Sequence, residues 1–291
     1  MQIEVDGERF EAITAGPDDG PVALFLHGFP DLPQTWSPVM ERFAARGFRC
    51  VAPYLRGYAP STTAGPFDLY RLGRDVAEMA YALSRKAPIV ALGHDWGAAA
   101  LWLAASRWPQ RFAVSVPISV PHWMTFARAI GRPAQLWRSR YMLALQARSI
   151  DRAGIERLWR RWSPQLEPPA EHLDAVARTI ATSGDAPLEY YRAIRRPSRL
   201  MLLRMVDVDR ARVTVPTLYL HGLDDGCIAP SATRGQERLV KAPFRAEVIV
   251  GAGHFVPLEQ PDAVADKALR FVDTYAPGYG PTRPNKIGVR T

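Results

Sequence analysis

The sequence predicts an α/β protein, a mostly parallel sheet flanked by helices and interrupted by an inserted helical segment. Three observations predict it. Short apolar runs alternate with amphipathic stretches over the first 120 residues, the alternation stops between about His122 and Arg212, and strands and a helix resume afterwards. With 291 residues, 47% hydrophobic and 23% charged, the chain can bury a large core. The expected division is a core formed by residues 1–120 and 213–291, with 121–212 as a helical cap.

Each element has its own signal. In residues 1–10, Ile3, Val5 and Phe10 alternate with polar residues and read as an edge strand. Val22 to Phe29 is a short apolar run ending in a turn, as a buried parallel strand should be. Leu32 to Arg46 puts Trp36, Val39, Met40 and Phe43 on one helix face, closed by Gly47. A strand over Phe48–Ala52, a loop at Arg56-Gly57-Tyr58 and an amphipathic helix over Leu69–Leu83 follow. Next come a strand at Pro88–Gly93, a helix at Ala98–Arg107 and a strand at Phe112–Val120. In the middle segment Pro164, Pro168, Pro169 and Pro187 mark turns between helices. Strands return at Pro216–His221 and Ala246–Val250, and a helix runs from Pro261 to Tyr275. The tail from Pro277, with three prolines and three glycines in 15 residues, reads as irregular.

Charge narrows the function classes. The middle segment holds 17 arginines, no lysine and 9 acidic residues, so its excess of eight equals the net charge of +8 of the whole chain. No nucleic-acid module or stacking surface accompanies it, so nucleic acid is not an expected partner. Solvated helix faces are the plain reading; a positive field at a site mouth that draws in anionic or lipid substrates is the sharper one. The start lacks a signal-peptide pattern, and no apolar run approaches the ~18–20 residues of a membrane span. The expectation is a soluble, cytoplasmic protein without stable membrane insertion. Cys50 and Cys227 are too few for a disulfide framework or zinc cluster, and neither metal nor cofactor is expected.

The strongest local motif is Gly93-His94-Asp95-Trp96-Gly97, between a strand and a helix. Glycines flank the apex of a tight strand-to-helix turn, which lifts the apex side chain above the sheet. Such an apex is commonly a serine nucleophile; here it is Asp95. The plain alternative is a helix N-cap aspartate. Two later turns supply partners: His221-Gly222-Leu223-Asp224-Asp225 and Gly251-Ala252-Gly253-His254. Asp224 and Asp225 compete as the acid that would orient His254, and the residues alone do not choose between them. His27-Gly28-Phe29-Pro30 follows the first core strand. There the Phe29 N–H, with that of Trp96, would face a developing oxyanion, and Pro30 fits a cis bond from Phe29.

Leu26-His27-Gly28-Phe29-Pro30, Gly93-His94-Asp95-Trp96-Gly97 and Gly253-His254-Phe255 resemble the epoxide hydrolases of the α/β-hydrolase superfamily, over essentially the whole chain to Tyr275. The resemblance implies the α/β-hydrolase fold. It also implies that the acid is the fourth residue of Gly222-Leu223-Asp224-Asp225, and that His27, Pro30, Trp96 and Phe255 bind substrate. It further implies two cap tyrosines as proton donors: Tyr141, followed five residues later by Gln146, and Tyr191, directly before Arg192. Tyr190 stands where the family commonly has Trp. An Arg-rich cap would lower the pKa of both phenols.

An aspartate nucleophile selects the chemistry. A carboxylate is ionised at neutral pH and displaces a leaving group at saturated carbon, forming an alkyl ester that His254-activated water then hydrolyses. Epoxide opening and carbon–halogen cleavage both fit. An epoxide oxygen needs an O–H donor, which the tyrosines offer; a halide needs N–H donors such as the Trp96 indole. The expected reaction is hydrolysis of a small hydrophobic epoxide by water. Haloalkane dehalogenation and a non-catalytic ligand-binding role are the alternatives, and a homodimer is left open.

Overall fold

The computed structural model describes residues 1–147, 149–195 and 212–279, which form one eight-stranded sheet with helices around it. The strands are β1 (Gln2–Val5), β2 (Glu8–Ala15), β3 (Val22–Leu26), β4 (Arg49–Pro53), β5 (Ile89–His94), β6 (Phe112–Ile118), β7 (Thr217–Gly222) and β8 (Phe244–Ile249). Their spatial order is β1-β2-β4-β3-β5-β6-β7-β8. β1 and β2 pair antiparallel, as do β2 and β4; every other pairing is parallel. Every residue of the central strands β3, β5 and β7 is buried, which explains why they read as continuous apolar runs. Helices cover both faces. One core layer includes Leu24, Leu26, Ala91 and Leu101, and the other Phe25, Val90, Leu92 and Val116.

Residues 1–10, expected as one edge strand, form a hairpin instead. Asp6 (φ 51°) and Gly7 (φ 76°) both occupy left-handed conformations, as a two-residue turn of type I′ requires. The expected single helix over Leu32–Arg46 is also divided. A short 3-10 turn spans Pro33–Trp36, and α1 begins at Ser37 and runs to Ala44. Pro38 has no N–H to donate into the preceding turn, so the α-helical ladder restarts there. The core helices α2 (Leu69–Leu83) and α3 (Trp96–Arg107) pack together, with Asp68 capping α2 by accepting the Arg71 N–H at 3.0 Å.

Between β6 and β7 the described residues are helical: α4 (Trp123–Ala129), α5 (Pro133–Arg138), α6 (Tyr141–Ala147), α7 (Arg152–Trp162), α8 (Ala170–Ser183) and α9 (Ala186–Arg195). The expected end of this segment at Arg212 follows residues 196–211, which lie outside the described residues, as does the tail from residue 280. α7 buries Ile155, Trp159 and Trp162 completely, and the Trp159 indole N–H donates to the Pro30 carbonyl at 2.9 Å. His172 of α8 lies 2.9 Å from the buried Asp31 carboxylate, so two helices dock on the loop after β3. After β8 come α10 (Val256–Glu259) and α11 (Pro261–Tyr275). No described helix is long and apolar enough to cross a membrane.

Candidate active site

The turns that follow β3, β5, β7 and β8 converge at the carboxyl ends of the parallel strands, where open α/β sheets present their ligand sites. Asp95 sits between β5 and α3 with φ 51° and ψ −117°, a strained conformation for a residue bearing a Cβ. Its side chain makes no capping bond to α3, so it is not an N-cap aspartate in the ordinary sense. The flanking glycines are required by close approach. A Cβ on Gly93 would fall 2.5 Å from the Gly97 carbonyl oxygen, and one on Gly97 would fall 2.3 Å from that of Leu26. The turn is thereby pressed onto the loop after β3.

That contact fixes the Asp95 carboxylate. Oδ1 accepts the Phe29 N–H at 2.8 Å, and Oδ2 lies 3.3 Å from His254 Nε2. His254 Nδ1 lies 2.9 Å from Asp225 Oδ2, while Asp225 Oδ1 accepts the N–H groups of Cys227 (2.7 Å) and Ile228 (2.8 Å). Asp95, Asp225 and His254 are all buried. Asp224 instead faces solvent, where its carboxylate accepts from the Gln165 amide at 3.1 Å. Trp96 is the first residue of α3, so its backbone N–H has no carbonyl within the helix. The Phe29–Pro30 bond is cis.

The cluster is electrostatically coupled. Burial opposes ionisation of Asp95, but the His254 hydrogen bond and charge, His94 and the Phe29 N–H outweigh it and hold the carboxyl below its ordinary range. Burial acts the same way on Asp225, and His254, His221 and the Ile228 N–H overcome it. For His254 burial favours the neutral ring. The two carboxylates prevail, Asp225 foremost, and raise its pKa to about 10. The resting arrangement is an imidazolium between two carboxylates, ready to become a base once one of those charges is lost.

Above this cluster lies a cavity of about 310 Å³, lined by Asp95, Trp96, Trp123, Phe126, Tyr141 and Tyr191 among mostly apolar neighbours. Tyr191 projects from α9 with its ring edge-on to Phe29 (5.1 Å) and Trp96 (5.3 Å). Its hydroxyl is buried and has no well-formed hydrogen bond among the described residues. The neighbouring Tyr190 differs: its hydroxyl donates to the Arg56 carbonyl. Tyr141, on α6, packs 5.9 Å from Tyr191 and 4.7 Å from Trp162, and its hydroxyl lies 3.4 Å from the Cys227 sulfur.

Several expectations change here. The phenols of Tyr141 and Tyr191 are pushed well up, not down, because burial dominates and nearby Asp95 adds to it. Arginines of the helical segment pair locally instead: Arg152 and Arg160 with Glu156, Arg152 with Asp174, and Arg192 with Asp185 and Glu189. Of the four residues expected to touch substrate, Trp96 lines the cavity, while His27, Pro30 and Phe255 do not. His27 is buried beneath the loop, accepting the Leu55 N–H at 3.0 Å, and burial lowers its pKa to about 4. Pro30 meets Trp159 through its carbonyl, and Phe255 stacks on Trp159 at 4.3 Å. Motif membership marks these residues, but their side chains brace the loops. Sequence reasoning missed Cys227 and the walls Trp123 and Phe126, whose local sequence carries no signal for facing a cavity. Among the described residues no group of three or more His, Cys, Asp or Glu side chains is placed to hold a metal ion.

The sequence matches the alpha/beta hydrolase family over residues 23–267. It is 26% identical to epoxide hydrolase A of Mycobacterium tuberculosis, an alignment spanning 93% of this chain and 96% of that protein. It is 28% identical to epoxide hydrolase 4 of Mus musculus, over 91% of this chain and 76% of the relative. Among solved structures, an epoxide hydrolase of the alpha/beta hydrolase superfamily from hot-environment metagenomes superposes with a TM-score of 0.77 at 26% identity, over 94% of this chain and 97% of that one. The fold of Bacillus megaterium epoxide hydrolase, at 24% identity, matches with a TM-score of 0.81 over 94% of this chain and all of that one. The chain belongs to the α/β-hydrolase family.

Proposed function

We propose that this α/β-hydrolase hydrolyses epoxides to vicinal diols through an alkyl ester on Asp95. One observation carries the reading: a carboxylate at the turn apex shares an apolar cavity with two phenols, one of which has a hydroxyl without a well-formed partner among the described residues. A carboxylate supplies the nucleophile for saturated carbon, and a phenol supplies the proton that a departing alkoxide requires.

In the first step Asp95 Oδ2 attacks an epoxide carbon, the carbon–oxygen bond breaks, and Tyr191 or Tyr141 donates a proton to the released oxygen. Raised phenol pKa values make weaker acids than free tyrosine. They also keep both groups protonated until the far stronger base, the alkoxide, forms. Oδ1, already held by the Phe29 N–H at 2.8 Å, becomes the ester carbonyl oxygen. Alkylation removes the Asp95 charge that helps keep His254 protonated, so the His254 pKa falls and its proton can restore the phenol through solvent. Neutral His254, oriented by Asp225, then takes a proton from water as that water attacks the ester carbon. The Phe29 and Trp96 N–H groups face the resulting oxyanion. Collapse releases the diol as the His254 proton passes to its alkoxide, and the Asp95 carboxylic acid so formed returns its proton to His254, restoring the resting carboxylate and imidazolium.

In this reading residues 121–212 act as a cap that supplies both proton donors, and the apolar walls favour small hydrophobic epoxides. The free, buried thiols of Cys50 and Cys227 suit a reducing compartment such as the cytoplasm. The test is a single turnover in ¹⁸O-water with an aryl epoxide, followed by mass spectrometry of diol and protein. Label in Asp95 and not in the first diol is the expected result. Label entering the diol directly would mean attack by water on the epoxide and overturn the ester scheme. Halide release from haloalkanes without diol from epoxides would make the enzyme a dehalogenase.

A further inference from the structure

We propose that Ser163 and Glu259 are positioning residues for His254, so that the helical segment takes part in ester hydrolysis as well as in proton donation. The inference rests on the alkyl-ester reading above. Three successive backbone N–H groups of the His254 turn find three different acceptors. The Gly253 N–H meets both carboxylate oxygens of Glu259 at 3.0 and 2.9 Å, the His254 N–H donates to the Trp162 carbonyl at 3.0 Å, and the Phe255 N–H donates to Ser163 Oγ at 3.0 Å. The Ser163 hydroxyl donates in turn to Glu259 Oε1 at 2.6 Å, which closes the ring of contacts. From the opposite side the His254 carbonyl accepts from the Ser119 hydroxyl at 2.7 Å and lies 2.8 Å from His94 Nε2.

The last carbonyls of a helix have no partner within it, and the C-terminus of α7 uses this. The Trp162 carbonyl accepts from His254 and also from the Gly226 N–H at 2.9 Å, beside Asp225. The two turns that carry Asp225 and His254 are thus joined through one oxygen of the helical segment. Packing leaves no slack: a Cβ on Gly253 would fall 2.5 Å from Ser163 Cα, and one on Gly226 would fall 2.1 Å from the Arg161 carbonyl oxygen. His254 Nδ1 is tethered to Asp225, so a tilt of the turn would swing Nε2 about that tether. Alkylation of Asp95 needs a carboxylate and a phenol. Hydrolysis needs Nε2 aimed at a water on the ester carbon, and loss of that aim is costly. The device should therefore act on the second step alone.

The experiment is rapid-quench mass spectrometry of Asp95 alkylation and ester decay with styrene oxide, on Ser163→Ala, Glu259→Gln and the double variant. Expected are alkylation at the wild-type rate and ester decay slowed about tenfold to a hundredfold. The double variant should be no slower than the slower single one, because both side chains serve one network. The amplitude of alkylation counts folded sites, which separates slow chemistry from misfolding. Glu259→Gln, nearly isosteric, decides the case if Ser163→Ala loses amplitude. Unchanged ester decay in the variants, or equal slowing of both steps, overturns the proposal. His254→Gln is run beside them: absence of any ester there defeats the alkyl-ester reading itself, whereas ester in that variant alone defeats only the positioning role.

Discussion

The sheet turns and the helical segment hold their functional groups in opposite ways. At the turns, Asp95, Asp225 and His254 are gripped by short polar contacts, and every oxygen of the two carboxylates has a partner. In the helical segment, Tyr141 and Tyr191 are held mainly by ring packing. The Tyr141 hydroxyl lies 3.4 Å from the sulfur of Cys227, and the Tyr191 hydroxyl, within reach of Tyr141 and the Trp96 indole, has no well-formed hydrogen bond among the described residues. The difference suits their tasks. A nucleophile and its base must be aimed before substrate arrives, whereas a proton donor must keep its hydrogen bond available for the atom that leaves. Tyr190 sharpens the point, because its hydroxyl is already given to the Arg56 carbonyl.

The comparison can be broken from its strong end. Asp95→Ala should lower turnover of an aryl epoxide by more than about 10⁴-fold, since no other group can form the ester; residual turnover near wild type would remove Asp95 from the chemistry. His254→Gln should still alkylate and then stall, leaving a mass adduct equal to enzyme plus epoxide. Next come the phenols. Tyr191→Phe should slow alkylation about tenfold to a hundredfold, and the Tyr141→Phe, Tyr191→Phe pair about a thousandfold, with ester decay unchanged. A double variant as fast as wild type would leave the phenols as packing.

A smaller effect concerns pH. Folded His254 keeps its proton to about pH 10, while in the unfolded chain it loses it near 6.5. Its contribution to stability is full below pH 6.5 and is lost as pH rises toward 10, at about 1.4 kcal/mol per pH unit. The melting temperature should therefore fall between pH 6.5 and 8, and the slope should flatten in His254→Gln. A flat wild-type profile would mean that the buried imidazolium does not form. At the weak end, Arg157→Ala, on an exposed side chain that lies 4.0 Å from its nearest described carboxylate, Asp151, should leave melting temperature and turnover unchanged within error.

The same contrast explains what could be read from sequence. The parallel strands announced themselves as apolar runs, and the Gly93–Gly97 motif fell at a strand-to-helix turn as its glycines implied. The preference for Asp225 over Asp224 came from the epoxide-hydrolase resemblance, in which the acid is the fourth residue of the stretch, and the two side chains do point to opposite environments. Other features were written in the sequence and misjudged, such as the Asp6-Gly7 hairpin inside the supposed edge strand. His27, Pro30 and Phe255 belong to motifs, yet a motif does not say which way a side chain faces once its loop folds. The tyrosine pKa direction needed three dimensions: arginines such as Arg152, Arg160 and Arg192 found acidic neighbours on or beside their own helices, and burial dominates the phenols. The contacts of the Trp162 carbonyl were invisible for a simpler reason, since every residue has a carbonyl.

The left-handed backbone of Asp95 has a consequence for how this protein can change. A residue with a Cβ at φ 51° and ψ −117° costs on the order of 1–3 kcal/mol, and glycine would relieve it. Asp95→Gly should thus melt higher than Asp95→Ala while being equally inert. Drift at this codon would favour robust but silent variants, so only continued demand for turnover keeps an aspartate there.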